Sequence, residues 1–194
     1  MENRILNAGE FKTIRWSGGT STELFIFPSH SSFEKRDFTV RLSTATVEVG
    51  ASEFTPLPGV SRKLMVLNGE VTLSHEHHHK THLKKFDVDG FSGNWKTTCN
   101  GTCTDFNLMT RGAVSGEVRG IVLEREDQDQ IQIDDHTDWY FIYVYSGSAV
   151  VTINHNPITL LPGGLLLMEK CNGAAFAIKG IQRSELVFVQ IMAV

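Results

Sequence analysis

Apolar and polar residues alternate with a period of two along much of this sequence, and the alternation restricts the fold more than any other feature. The segment Phe38–Ser43 alternates as expected of a strand with one buried and one solvated face. Asn68-Gly69 lies between two apolar runs, which is typical of a hairpin turn, and Ser146-Gly147 interrupts a second pair. No window shows the 3.6-residue period of an amphipathic helix. The sequence therefore predicts an all-β sandwich or barrel.

The polar stretch Glu124–Gln130 separates two parts of the chain that show the same succession of signals. Each part contains a loop, a strand, a glycine-containing turn, a second strand and a further glycine-containing turn. We therefore predict two tandem β units, one over residues 1–123 and a smaller one over residues 124–194. The smaller unit has too few residues to bury a large core alone, so we expect it to pack against the first.

The charge balance excludes some classes of partner. The chain has 18 Lys and Arg residues against 22 Asp and Glu residues, giving a net charge of −4 and a pI of about 6.0. No segment concentrates basic residues, so we expect no nucleic-acid partner.

No apolar run approaches the roughly 20 residues of a membrane span, and the N-terminus lacks the apolar core of a signal peptide. With only 3 cysteines, a disulfide scaffold is excluded, and we predict a cytoplasmic protein with no membrane partner.

A histidine-rich segment after Gly69 gives one hypothesis of a metal site. Alternate residues of a strand share a face, so His75, His77 and His79 could point together, and three imidazoles suit zinc, iron or nickel. The segment begins like the metal-binding motif of cupins, but the glutamate that should follow His77 is missing. The alternative is a solvated hairpin end. We favour the solvated end, so we expect no metal and keep the cluster as an alternative.

Aligning the cupin pattern on its terminal glycine gives a different candidate site. In metal-binding cupins a glutamate ligand precedes this glycine, and the matching position before Gly69 is Arg62. In the second unit the corresponding positions lie at or near Asp134, His136, Tyr140 and Leu167. A guanidinium cannot ligate a cation but binds a carboxylate or phosphate through two parallel hydrogen bonds. The pattern therefore predicts an anion site in the first unit and a vacant second unit.

Strand alternation places further polar side chains on shared faces. The two sets are Arg41, Ser43 and Ala45 in one strand, and Asp105, Asn107, Met109 and, just beyond, Arg111 in another. A glycine-rich turn over residues 16–23 also enters a strand, where backbone N–H groups could approach a ligand closely. Buried charges persist only when they are paired or satisfied by a ligand. Charged residues in strands that are otherwise apolar therefore indicate a binding site.

These stretches together resemble the HutD/Ves family, whose members adopt a cupin-type double β-barrel. The matching segments are residues 16–23, 38–45, 54–62, 67–69 and 105–111. Trp16 and Glu23 stand closer together here than in the enterobacterial form of the family. The resemblance implies two tandem barrels, a bicupin. It also implies a role in sensing or limiting histidine utilisation, or in a stress response, with a ligand similar to urocanate or formylglutamate.

The leading hypothesis is a protein that binds a small carboxylate-bearing molecule in the first unit, without a metal or cofactor. Arg41 and Arg62 would hold the carboxylate, and Asp105 with Asn107 would recognise an amine or amide. Trp16 or Phe54 would form an apolar wall. The candidate ligand-binding residues are Trp16, Glu23, Arg41, Ser43, Phe54, Arg62, Asp105, Asn107, Met109 and Arg111.

Three alternatives stay open at this point. A metal-free isomerase, lyase or hydrolase would use Asp105 as general acid or base and Arg62 to stabilise a developing oxyanion. A metal-dependent cupin would use His75, His77 and His79. A scaffold protein or homodimer would keep a vestigial pocket.

Overall fold

The computed structural model describes residues 2–133, 137–171 and 176–192, so the predicted Asp134 and His136 lie outside the described residues. The described ranges contain 17 strands and one short 3-10 helix, Ala8–Glu10, and the all-β prediction is confirmed. No helix in these ranges has the length and hydrophobicity needed to cross a membrane. The strands are β1 (Glu2–Leu6), β2 (Lys12–Trp16), β3 (Gly19–Phe27), β4 (Val40–Val47), β5 (Ala51–Glu53), β6 (Val60–His75), β7 (Lys80–Leu83), β8 (Val88–Ser92), β9 (Thr97–Arg111), β10 (Ser115–Leu123), β11 (Gln128–Ile131), β12 (Trp139–Ser146), β13 (Ala149–Ile153), β14 (Asn156–Leu160), β15 (Leu165–Glu169), β16 (Phe176–Gly180) and β17 (Ser184–Met192).

The chain divides into two compact units, which we call the N-unit (Phe11–Ser115) and the C-unit (Met1–Glu10 with Gly116–Val194). The sequence analysis predicted the division between residues 123 and 124 and assigned the first ten residues to the first unit. β1 belongs to the C-unit because it pairs along its length with β15. Such a long-range pairing leaves no signal in the local pattern. The polar stretch Glu124–Gln130 forms a turn and most of β11 within the C-unit.

The C-unit contains two sheets, with strand orders β1-β15-β12-β17-β10 and β11-β16-β13-β14. Residues from both sheets share one apolar cluster, which includes Tyr140, Phe176 and Phe188. The Tyr140 ring centroid lies 5.7 Å from that of Phe176 and 5.8 Å from that of Phe188. Tyr140 therefore fills core space at the position where the cupin pattern would place a ligand.

The N-unit contains one large sheet of order β2-β3-β4-β9-β6-β7, in which β5 also pairs with β9 and β8 with β6. The long antiparallel strands β6 and β9 pair along their whole length, from Val60 opposite Arg111 to His75 opposite Thr97. β4 pairs with the other edge of β9. These three neighbouring strands carry most of the candidate binding residues.

Asn68-Gly69 lies inside β6, so the prediction of a hairpin turn there is wrong. The strand continues through a register shift between Val66 and Asn68 opposite β9. Gly69 has a φ of 80°, and a Cβ on it would lie 2.4 Å from the carbonyl oxygen of Thr102. An Asn-Gly pair signals a positive φ, and a β-bulge uses that conformation as readily as a turn does.

Two other local predictions can be compared with the structure. Ser146-Gly147 joins β12 to β13, which lie in different sheets, so it is a connection between sheets and not a hairpin. The cysteines Cys99, Cys103 and Cys171 are free and buried, in agreement with the absence of a disulfide scaffold.

We predict that Gly69→Ala destabilises the protein by about 1–3 kcal/mol, because the left-handed backbone and the close carbonyl of Thr102 both oppose a side chain. The matched control is Gly90→Ala in β8, where a Cβ would meet no heavy atom within 4 Å. We expect the control to change the free energy of unfolding by less than about 0.5 kcal/mol. Urea unfolding of the two variants measures both values, and equal effects would contradict the assignment of Gly69 to a strained bulge.

Candidate ligand-binding site

The register of β4, β9 and β6 brings the candidate side chains together. Met109 of β9 lies opposite Arg41 of β4 on one side and opposite Arg62 of β6 on the other. Asn107 lies opposite Ser43 in the same way, and Asp105 opposite Ala45. Because alternate residues of a strand share a face, one face of three adjacent strands carries both arginines, the carboxyl group and the amide.

These side chains line a cavity of about 230 Å³ within the N-unit. A water molecule occupies about 30 Å³ in the liquid, so the cavity has room for a small metabolite. Its wall is both polar and apolar. The lining residues are Ile14, Trp16, Ser21, Phe33, Arg41, Ser43, Ala45, Val47, Glu53, Phe54, Thr55, Leu57, Arg62, Asp105, Asn107 and Met109.

Arg62 is buried, with 7% of its surface exposed. Its guanidinium Cζ lies 4.7 Å from the ring centroid of Phe54 and 5.1 Å from that of Phe91, and Nη2 donates to Asn107 Oδ1 at 3.2 Å. Among the described residues, no group accepts a hydrogen bond from its Nε. Burial lowers the pKa of Arg62 to about 10, with Asp105 opposing this change and Arg41 adding to it. The group is therefore charged at neutral pH and has donors to spare.

Asp105 is buried next to this cation. Asn107 Nδ2 donates to Asp105 Oδ1 at 2.5 Å, and the Cys103 thiol lies 3.9 Å from Oδ2. Burial raises the pKa of Asp105 to about 7, although the charge of Arg62 and the hydrogen bonds from Asn107 and Cys103 act in the opposite direction. Both protonation states of Asp105 are therefore present near neutral pH, one offering a proton and the other a negative charge.

Arg41 differs from Arg62 because the protein itself satisfies much of its charge. Its Nε donates to Glu23 Oε2 at 2.8 Å and its Nη1 donates to Ser43 Oγ at 2.9 Å. Its Cζ lies 4.5 Å from the ring centroid of Phe33. Glu23 lines a smaller cavity of about 80 Å³ that shares Arg41 and Phe33 with the larger one.

The structure brings together all but two of the ten candidate binding residues around the larger cavity. Glu23 reaches it indirectly through Arg41. Arg111 lies apart: it is exposed, and it donates to the backbone carbonyl oxygens of Arg36 and Pro58. Its side chain therefore connects two loops and does not line the cavity.

The sequence analysis missed two aromatic residues that contact the arginines. Phe91 lies opposite Arg62 in the pairing of β8 with β6, and its alternation within Val88–Ser92 could have identified it as inward-facing. Phe33 lies in the segment between β3 and β4, where no strand pattern indicates its direction.

The cavity residues do not fit a bound metal ion. Two guanidiniums line the wall, and a cation there would have to displace their hydrogen bonds to Asn107 and Glu23. The alternative set of His75, His77 and His79 is brought together only in part, because the potential ligand atoms that lie close among the described residues include His75 and His79 but not His77. β6 ends at His75, the chain reverses, and His77 adopts a φ of 64°, so strand alternation does not extend through this segment.

The matches to known proteins agree with this architecture. The HutD family profile matches residues 8–187. The chain belongs to the HutD family. No curated protein sequence matches it.

Solved structures similar to this HutD-family chain share its fold at low identity. The conserved protein of unknown function PA5104 from Pseudomonas aeruginosa PAO1 is 20% identical with a TM-score of 0.84, over 100% of both chains. HutD from Pseudomonas fluorescens SBW25, whose structure was determined in a formate condition, is 17% identical with a TM-score of 0.70, over 97% of this chain and 99% of that one. The bacterial pirin YhhW from Escherichia coli in complex with nickel(II) is 13% identical with a TM-score of 0.71, over 100% of both chains. The prediction of a cupin-type fold is confirmed.

The raised pKa of Asp105 predicts a pH-dependent stability. Folding raises this pKa from its ordinary value of 3.8 to about 7, so the stabilisation from the protonated group is complete below pH 3.8 and is lost as the pH rises to 7. At about 1.4 kcal/mol per pKa unit, the loss is about 4 kcal/mol. Asparagine has no proton to lose, so the free energy of unfolding of Asp105→Asn should rise by up to this amount relative to wild type over that range. Urea unfolding at a series of pH values measures the difference, and a constant difference would contradict the burial of a titrating carboxyl group.

Proposed function

We propose that this protein binds a small carboxylate-bearing metabolite in the N-unit cavity without using a metal ion. The observation that carries this proposal is the guanidinium of Arg62, which is buried and charged, lines the cavity, and has one hydrogen-bond acceptor among the described residues, Asn107 Oδ1. A buried charge is costly unless it is paired. Glu23 already pairs with Arg41, whereas Asp105 compensates Arg62 only when it is ionised. An anionic ligand would supply the missing charge.

The lining of the cavity supports a ligand with three parts. A carboxylate would accept two parallel hydrogen bonds from Arg62. A short hydrocarbon stem or flat ring would contact apolar groups such as Trp16, Phe54 and Met109. A nitrogen-containing group would meet Asp105 beside Asn107. Urocanate and formylglutamate have these parts, which favours a cytoplasmic receptor that senses or limits histidine utilisation.

We expect ligands of this class to raise the melting temperature, with formate, urocanate, formylglutamate and histidine as the probes. At about 100 times its Kd a ligand stabilises the native state by about 2.7 kcal/mol, which is roughly 5–10 °C for a chain of this size. Arg62→Gln should weaken binding about 10- to 100-fold, because it removes charge-assisted hydrogen bonds. Thermal shift and calorimetry measure these effects.

Arg111→Gln is the matched control. This arginine lies on the same face of β9 as Asp105 and Asn107 but does not line the cavity. It should leave the ligand-induced shift unchanged. The proposal fails if none of the four probes shifts the melting temperature, or if Arg62→Gln binds them as tightly as wild type.

A second candidate function is a metal-free enzyme in which Asp105 acts as general acid or base. The pKa of Asp105, raised to about 7 by burial, favours it, because proton transfer is most efficient when the pKa lies near the working pH. Arg62 would stabilise negative charge that develops on the substrate.

The enzyme hypothesis predicts that Asp105→Asn lowers kcat by about 10²- to 10⁴-fold with a much smaller change in affinity. Mass spectrometry of each bound probe after incubation with the protein detects a product if one forms. Probes that bind and are recovered unchanged would leave binding alone as the function of the cavity.

A further inference from the structure

A second group of polar side chains lies in the N-unit outside the cavity lining, at the end of β6. His75 Nε2 lies 2.8 Å from Asp89 Oδ2, and His79 Nε2 lies 3.0 Å from Asp89 Oδ1. The potential ligand atoms of these three residues all lie within 4.8 Å of one another. None of the three lines the larger cavity. We call this group the His-Asp cluster.

The backbone fixes the positions of the two histidines. His75 N donates to His79 O at 2.9 Å, and His78 N donates to His75 O at 3.0 Å. This tight reversal replaces the straight strand that the sequence pattern suggested. It places His79 across from His75 and leaves His77 at the turn. Asp89 reaches the pair from β8.

Hydrogen bonds hold the His75 ring at both of its nitrogens. Nδ1 lies 2.8 Å from the Thr97 hydroxyl and Nε2 lies 2.8 Å from Asp89 Oδ2. With its N–H at Nε2, a neutral imidazole donates to Asp89 and accepts from Thr97. A metal ion at Nε2 would replace that proton, and Nδ1–H would then donate to Thr97.

We propose that His75, His79 and Asp89 bind one divalent transition-metal ion such as Zn²⁺. Two imidazole nitrogens and a carboxylate oxygen form a ligand set that zinc accepts, with bonds of about 2.0–2.2 Å and a fourth position left for water or another ligand. Ligand atoms around such an ion are separated by roughly 3.3 Å. The two His–Asp spacings here are 2.8–3.2 Å, and all three ligand atoms lie within 4.8 Å of one another. Thr97 supplies the outer hydrogen bond that orients a metal-bound histidine.

The burial of the cluster is suitable for a site that an ion can enter. The His75 side chain is fully buried and that of Asp89 is 11% exposed, whereas that of His79 is 41% exposed. His75 and His79 also line an open surface depression. The ion would therefore be held by buried residues on one side and would stay accessible to solvent on the side of His79.

The His-Asp cluster lies outside the lining of the cavity that contains Arg62, and two of its three residues, His79 and Asp89, are not positions of the cupin metal pattern. Its ligands come from the end of β6, the turn before β7, and β8. The proposal is therefore independent of the proposed function of the cavity, and either one can fail without the other.

The experiment uses untagged protein stripped of metal with a chelator and then titrated with Zn²⁺ or Co²⁺ by calorimetry. We expect one ion per chain, and we expect His79→Ala and Asp89→Asn each to weaken binding by at least about tenfold, since even a lost outer hydrogen bond costs 10- to 100-fold. His77→Ala is the matched control, because this neighbouring histidine lies outside the cluster, and it should leave the affinity unchanged. The half-exposed His79 makes His79→Ala the variant expected to fold without disturbance.

A second measurement requires no variant at a ligand. The Trp95 ring centroid lies 5.5 Å from that of His75 and 5.7 Å from that of His79, so bound Co²⁺ should quench its fluorescence, and Trp95→Phe should lose that part of the quenching. Visible Co²⁺ absorption would identify nitrogen and oxygen ligation. No saturable binding would show that hydrogen bonds alone hold the three side chains together and would overturn the proposal. Equal loss of affinity in His77→Ala and His79→Ala would also overturn it, because it would show binding by the exposed turn alone.

Discussion

Burial of the Arg62 guanidinium is the interaction on which the N-unit cavity depends. The effective cost of burying an ion in a protein is several kcal/mol, so the surrounding residues must compensate it. Two aromatic rings, Phe54 and Phe91, contact the guanidinium, and Asn107 accepts one hydrogen bond from it. This compensation is partial, because Asn107 Oδ1 is the one hydrogen-bond acceptor that the described residues offer this guanidinium. The guanidinium also lines the cavity, which is why we propose an anionic ligand there.

The other charged groups near the cavity determine how strongly Arg62 would attract an anionic ligand. Glu23 pairs with Arg41 at the edge of the cavity, so that ion pair contributes little net charge. Asp105 has a pKa of about 7, and its charge therefore changes within the physiological range. When Asp105 is protonated, the other acid in the described cavity lining is Glu53, which is exposed, so no buried carboxylate of the lining compensates Arg62. When Asp105 is ionised, it would compete with a ligand carboxylate for Arg62. Asp105, the residue that would act as general acid or base in an enzyme, would thus also make ligand binding depend on pH.

Strand alternation made the candidate cavity largely predictable from the sequence. It placed Arg41 with Ser43, and Asp105 with Asn107, on common faces, and the cupin pattern identified Arg62. The contacts of Arg111 could not be predicted in the same way, because they depend on where the loops at Arg36 and Pro58 lie. Phe33 was missed for the same reason, since long-range packing sets its position. Local periodicity fixes which face a strand residue occupies, but it carries no information on segments between strands.

The histidine segment and Asn68-Gly69 show a second limit of predicting side-chain direction from alternation. Gly69 and His77 each have a positive φ, and the backbone there departs from regular strand geometry in a way that alternation does not predict. The two features are connected through β6, which pairs with β8 before the bulge and with β7 after it. Phe91 of β8 contacts both groups: its ring centroid lies 5.1 Å from Arg62 Cζ and 4.6 Å from the ring centroid of His75. A single aromatic ring therefore connects the buried guanidinium with the His-Asp cluster. Because Asp89 lies within hydrogen-bond distance of both His75 and His79, its carboxyl group would offset the charge of a cation held between them, so that the same strands could hold an anion site and a cation site.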